Sequence, residues 1–176
     1  MTEPAAPEPD DKDWTWTLHR PCPDCGFDAS ATAAADVPRI VEEVVAGFAT
    51  RLAAADASTR PAPQVWSVTE YGCHVRDVCD VFDGRLRAML TEDDPLFTNW
   101  DQDATALEQQ YWRQRPAQVS TELEVAAARI GATIAGVAGA QWDRPGRRSN
   151  GSVFTVETLV RYFAHDLVHH AHDIGS

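Results

Sequence analysis

Four of the six histidines fall in one short stretch near the C-terminus, YFAHDLVHHAHDI, Tyr162 to Ile174. His165 and His169 stand four apart, so on a helix their Cβ atoms share a face, roughly 5–6 Å apart. That spacing suits two imidazoles on one divalent cation, and histidine is the commonest metal ligand. A third candidate, His74, lies in WSVTEYGCHVRDVCDVF. There it lines up with Glu70, Tyr71, Asp77, Val78 and Val81 on a largely inward stripe. One histidine from one helix and a pair from another can meet across a bundle core. Three nitrogen ligands leave a coordination position open, which distinguishes a catalytic zinc site from a closed structural one. Each part alone has a plainer reading: His74 as a hydrogen-bonded core histidine, His165 and His169 as an exposed pair. The combination on two helices favours the metal centre. His170 falls off the proposed face. His172 is either an alternative ligand or a helix-end cation favoured by the macrodipole.

Other reactive groups are more ambiguous. Cys22 and Cys25, in CPDC, read as half a zinc knuckle, a redox pair or a turn with two inert thiols. A complete zinc site needs two more ligands, with His19 and a cysteine of the second helix available. Cys73 and Cys79, six apart, point to different faces. Cys73 projects about 100° away from His74 on a helix, so both suit the role of small buried hydrophobes. Glu70 and Asp77 flank His74 by one turn on either side. They could orient its imidazole or carry protons, or simply be solvated. Arg144, Arg147 and Arg148 could recognise a carboxylate on a cofactor or substrate, or form an ordinary solvated loop. Trp100 and Trp112 are expected in the core or at a pocket mouth.

The elements that must position these groups are helical. Ile40, Val44, Val45, Phe48 and Leu52 recur at helical spacing and predict a helix over 36–55, with Asp36 as its cap and Pro38 in its first turn. Ser67-Val-Thr-Glu70 is a capping box that opens a second helix to about Leu90. A long connection, TEDDPLFTNWDQD, precedes a short helix over 104–113. Pro116 restarts a long helix to about Gly139, with Val119, Leu123, Ala126, Ile130, Ile134 and Val137 inward. RPGRRSNGS reads as a turn-rich basic loop, and Thr155 caps a final helix to Ile174. Four long amphipathic helices with little strand signal predict an all-α four-helix bundle over 36–176, with a long crossover between helices 2 and 3. Residues 1–35 read as an irregular leader with a CxxC turn.

The whole chain narrows the function classes. With 176 residues and 44% hydrophobic content, it is long and apolar enough for one packed domain. A formal net charge of −12 argues against a nucleic-acid partner, which needs a basic stripe. No apolar run approaches a membrane span. The acidic, Pro-rich N-terminus lacks the pattern of a signal peptide. These features predict a cytoplasmic protein, monomer or homodimer, whose cysteines are thiols or metal ligands rather than disulfides.

WSVTEYGCHVRDV followed by FTVETLVRYFAHDLVHHAHDI resembles the DinB-like superfamily. There a Trp-Ser/Thr segment followed by a histidine opens helix 2, and His-Asp-x-x-His lies on the last long helix. The resemblance spans about 36–174. It implies a four-helix bundle with a metal triad on His74, His165 and His169, the metal being zinc or nickel. The group includes mycothiol-dependent maleylpyruvate isomerases and bacillithiol S-transferases, so the resemblance also implies a low-molecular-weight thiol such as mycothiol at the open position. The isomerases usually carry a further C-terminal domain; this sequence runs two residues past its last predicted helix. CPDCGFD is outside the family motif.

A divalent metal would make such a thiol nucleophilic, because the thiolate is the reactive form and a free thiol is mostly protonated at neutral pH. The leading expectation is therefore a metal-dependent S-transferase or thiol-assisted isomerase acting on an electrophilic substrate. The alternatives are a non-enzymatic metal-binding stress or partner-binding bundle, and a hydrolase in which water takes the open position.

Overall fold

In a computed structural model, the structure describes residues 4–5 and 13–176. Among the described residues five α-helices carry the fold: α1 (Val37–Leu52), α2 (Val68–Thr91), α3 (Gln102–Glu108), α4 (Pro116–Ala135) and α5 (Val156–Asp173). The four long ones form the expected bundle. α2 packs along α4, α4 against α1, α1 against α5, and α5 back against α2. The consecutive helices α1 and α2 therefore lie across a diagonal, and the connections cross the bundle. Phe48, Leu86, Leu123, Ile130, Phe163 and Leu167 are all buried at its centre. Each contributes roughly 1.5–3 kcal/mol by leaving water. α2 runs very close to α4: a Cβ on Gly72 would stand 2.9 Å from Val119 Cγ1. No helix among the described residues is long and apolar enough to cross a membrane.

The helix starts follow local chemistry. Ser67 accepts from the Glu70 N–H while Glu70 accepts from the Ser67 N–H, completing the predicted capping box. Thr155 caps α5 by accepting from Thr158 N–H. Asp36 does not cap α1. It already has helical backbone angles, and a 3-10 turn over Ala34–Asp36 leads into the helix instead. The short helix begins earlier than its sequence indicates, because Asp101 accepts from Ala104 N–H at 2.9 Å. It ends at Glu108, and Tyr111–Arg113 form a separate 3-10 turn.

The basic stretch before α5 is not a simple loop. β2 (Pro145–Arg148) and β3 (Val153–Thr155) form an antiparallel hairpin, and β1 (Leu96–Phe97) joins β2 in parallel. Strands of two to four residues are too short to leave a readable alternation. The hairpin sits on the end of α2: a Cβ on Gly146 would meet Phe97 Cζ at 2.6 Å and Met89 Cγ at 2.7 Å. Alternation along β2 turns Arg147 outward, where it pairs with Asp94, and Arg148 inward. Arg144 donates to the carbonyls of Met89 and Glu92 at the end of α2. There it satisfies free carbonyls and complements the helix dipole.

Of the leader, residues 1–3 and 6–12 lie outside the described residues. From Asp13 on, the chain lies against α5. It forms a 3-10 turn over Trp14–Leu18, capped by Asp13, and then the Cys22–Gly26 turn.

Candidate metal centres and their cavity

The structure divides the expected triad. His74, His165 and His169 do not converge. The ligand atoms of His74 instead come together with those of Asp166 and His170, all within 4.8 Å of one another. His165 and His169 group with Cys22 and Cys25 under the same limit. The cause is the rotation of α5. Its core stripe runs through Val156, Leu159, Val160, Phe163, Leu167 and Ala171. At 100° per residue, His170 lies about 50° from the centre of that stripe, and His165 nearly opposite it. Asp166 and His170 are also four apart, and theirs is the pair on the flank facing α2. His165 is nevertheless buried, because the N-terminal segment covers the outer face of α5. Trp14 packs on the His165 and His169 rings, with centroids at 5.6 and 5.0 Å.

His74 is 1% exposed, and its Nδ1 is buried with no hydrogen-bond partner. Trp100 stacks on its ring at 5.5 Å, Trp66 lies at 5.3 Å, and His170 meets it edge-on at 4.7 Å. Burial, then the charge of His170, pushes the His74 pKa down to about 3, so it stands as a neutral imidazole. His170 lies between two carboxylates. Its Nε2 is 3.2 Å from Asp166 Oδ1, and its Nδ1 is 2.9 Å from Asp173 Oδ2. Burial opposes its charge, but the hydrogen bonds to Asp166 and Asp173 win and raise its pKa to about 9. Burial likewise opposes ionisation of Asp166 and Asp173, but the His170 hydrogen bond and the charges of the surrounding histidines together outweigh it and hold both carboxyls below their ordinary value.

This donor set fits a divalent metal. The 3.2 Å between His170 Nε2 and Asp166 Oδ1 matches the roughly 3.3 Å edge of a tetrahedron with metal–ligand bonds near 2.05 Å. Asp173 on the far nitrogen repeats the carboxylate–histidine arrangement that fixes metal-ligating imidazoles. Two histidines and one carboxylate serve zinc and other first-row metals and leave positions free.

Asp166 and His170 face a cavity of about 470 Å³, walled also by Trp14, Phe82, Trp100 and Tyr162. Two cations, Arg85 and Arg148, also face it. Arg85 is 8% exposed and lies over the rings of Phe82 and Phe97, at 5.3 and 5.8 Å. It makes no ion pair among the described residues, and burial, then Arg148, lowers its pKa to about 10. Arg148 Nε is buried without a hydrogen-bond partner. A second hollow, about 670 Å³ and walled by Pro63, Val65, Trp66 and Tyr71, opens on the other side of His170.

The carboxylates expected beside His74 are engaged elsewhere. Glu70 is 1% exposed, and its oxygens take hydrogen bonds from Ser67 and from both Nε and Nη2 of Arg60. Asp77 accepts from Arg76 Nε at 2.8 Å and from the Tyr111 hydroxyl. Cys73 and Cys79 are core residues, and burial pushes both thiols up, Cys73 to about 12. Trp100 lines the cavity. Asp166, His170 and Arg85 are the residues of this cluster and cavity that sequence reasoning did not select, although the helical wheel of α5 carried the signal for the first two.

A family model for the DinB superfamily matches residues 39–174. The chain belongs to the DinB superfamily. Two solved structures share its DinB-type fold. One is YfiT from Bacillus subtilis, a probable metal-dependent hydrolase with an unusual four-helix bundle topology, at TM-score 0.68 and 22% identity over 79% of this chain and 82% of that one. The other is the mycothiol-dependent maleylpyruvate isomerase, at TM-score 0.66 and 12% identity over 84% of this chain. This chain spans only 63% of that isomerase. No protein of curated function matches it in sequence. The DinB match begins after the Cys22–Cys25 turn, which therefore lies outside the matched region.

Proposed function

We propose that this protein is a metal-dependent enzyme that uses a small thiol, of the mycothiol type, against an anionic electrophile in S-transfer or thiol-assisted isomerisation. One observation carries the reading: a His74–Asp166–His170 cluster opens into a cavity that also holds two arginines, one of them buried without a carboxylate partner among the described residues. A divalent cation bound there would supply Lewis acidity, converting a thiol to its nucleophilic anion at neutral pH.

The chain's own residues do the rest. Asp173 holds the His170 ring in one orientation through Nδ1. Trp66 and Trp100 clamp His74 and keep water from its faces. Arg85 and Arg148 supply a fixed positive field for the carboxylate of an electrophile, placing its reactive carbon beside the thiol. Arg147, paired with Asp94 on the outer side of β2, takes no part in this. The hollow beside Trp66 gives the thiol's larger body a second approach to His170. The isomerase among the fold relatives, which depends on mycothiol, supports the choice of thiol.

The test is metal content and turnover together. Wild-type protein should bind a divalent metal and consume maleylpyruvate or a similar unsaturated acid only with mycothiol present. His74→Ala and His170→Ala should each lose this activity and one metal equivalent. Equal turnover without any thiol would point to hydrolysis and overturn the proposal.

A further inference from the structure

We infer that Cys22, Cys25, His165 and His169 form a second, closed zinc site that pins the N-terminal segment to α5. The ligand atoms of all four lie within 4.8 Å of one another. Cys22 Sγ and His169 Nδ1 are 3.7 Å apart. The S–N edge of a zinc tetrahedron, with bonds near 2.3 and 2.05 Å, is about 3.6 Å. His165 Nε2 is buried with no hydrogen-bond partner, a costly state for a polar atom unless a ligand meets it. Cys22 is 1% exposed, and neither cysteine is in a disulfide.

The turn is shaped for this task. Gly26 N–H donates to the Cys22 carbonyl and Cys22 N–H to the Phe27 carbonyl, both at 2.9 Å. Gly26 sits at φ +74°, where a side chain would be strained. These bonds fold C-x2-C tightly enough to offer both sulfurs to one ion. The far nitrogen of His169 faces Asp173 Oδ1 at 4.0 Å, so the ring meets sulfur on one side and a carboxylate on the other.

Two thiolates would balance the charge of a zinc ion, and four protein ligands leave no position for substrate. The site is structural. What it holds is the segment that brings Asp13 and Trp14 to the wall of the cavity that Arg85 and Arg148 face. It shares no ligand with the proposed catalytic centre, so each can fail without the other.

Cobalt substitution of the full-length protein tests it. The wild type should show a thiolate-to-cobalt charge-transfer band and two bound metal equivalents. His170→Ala should keep the band and lose one equivalent. Cys22→Ser and His165→Asn should lose the band, or strongly alter it, and keep the equivalent at His74. Zinc removal from the wild type should make two further thiols titratable. A wild-type spectrum without a thiolate band would overturn the inference even if a variant fails to fold. So would a band that survives Cys22→Ser and Cys25→Ser, or a Cys22–Cys25 disulfide in protein isolated under reductant.

Discussion

Asp173 stands between the two centres, and its removal should affect them unequally. Its Oδ2 is 2.9 Å from His170 Nδ1, while its Oδ1 is 4.0 Å from His169 Nε2, beyond hydrogen-bonding range. Loss of such an outer carboxylate typically weakens metal binding by about 10–100-fold, which corresponds to roughly 1.4–2.7 kcal/mol. Asp173→Ala should therefore weaken the His74–Asp166–His170 site by that factor. Asp173→Asn, which keeps a neutral acceptor, should fall at the low end. Binding at the Cys22–Cys25 site should change by less than threefold. The assay is zinc titration against graded chelators, with the cobalt thiolate band reporting the cysteine site separately. Wild-type affinity at both sites, or an equal loss at both, would refute the role given to Asp173.

Arg85→Met should raise KM for an anionic electrophile by about 10–100-fold, the scale of a lost charge-assisted hydrogen bond, without altering metal content. Steady-state kinetics with a neutral electrophile, which should be nearly unaffected, provides the control. Glu70→Ala should destabilise the protein by about 2–4 kcal/mol, because it removes the α2 capping box and strands Arg60. Denaturant melts would show this, and the folded variant should keep its metal stoichiometry. Gly72→Ala should cost about 1–3 kcal/mol by driving a methyl against Val119. Thermal denaturation unchanged from wild type would contradict the close approach of α2 and α4.

The bundle was largely legible because its signals are local. Ser67 with Glu70, Thr155, and the spacing of Val119, Leu123, Ile130 and Ile134 each act within a turn or two of helix. Of the proposed metal ligands, His74 was legible, and so was the helix that supplies its partners, but not which residues of that helix they are. α5 carries two i,i+4 pairs, His165/His169 and Asp166/His170, and spacing alone ranks them equally. Their roles are separated by the azimuth of the helix, set by Leu159, Phe163 and Leu167 packing into the core. The partners of Cys22 and Cys25 were hidden for another reason. They lie about 140 residues away in sequence, and only docking of the leader on the outer face of α5 brings them together. Arg85 gave no signal, because nothing nearby in sequence shows that the fold brings it and Arg148 to one cavity.

The decisive experiment is anomalous diffraction at the edge of the bound metal, from crystals of the protein. A peak coordinated by His74, Asp166 and His170 is expected, with a free position toward the cavity that holds Arg85. A peak ligated by His74 together with His165 and His169, or none at His74, would contradict that assignment.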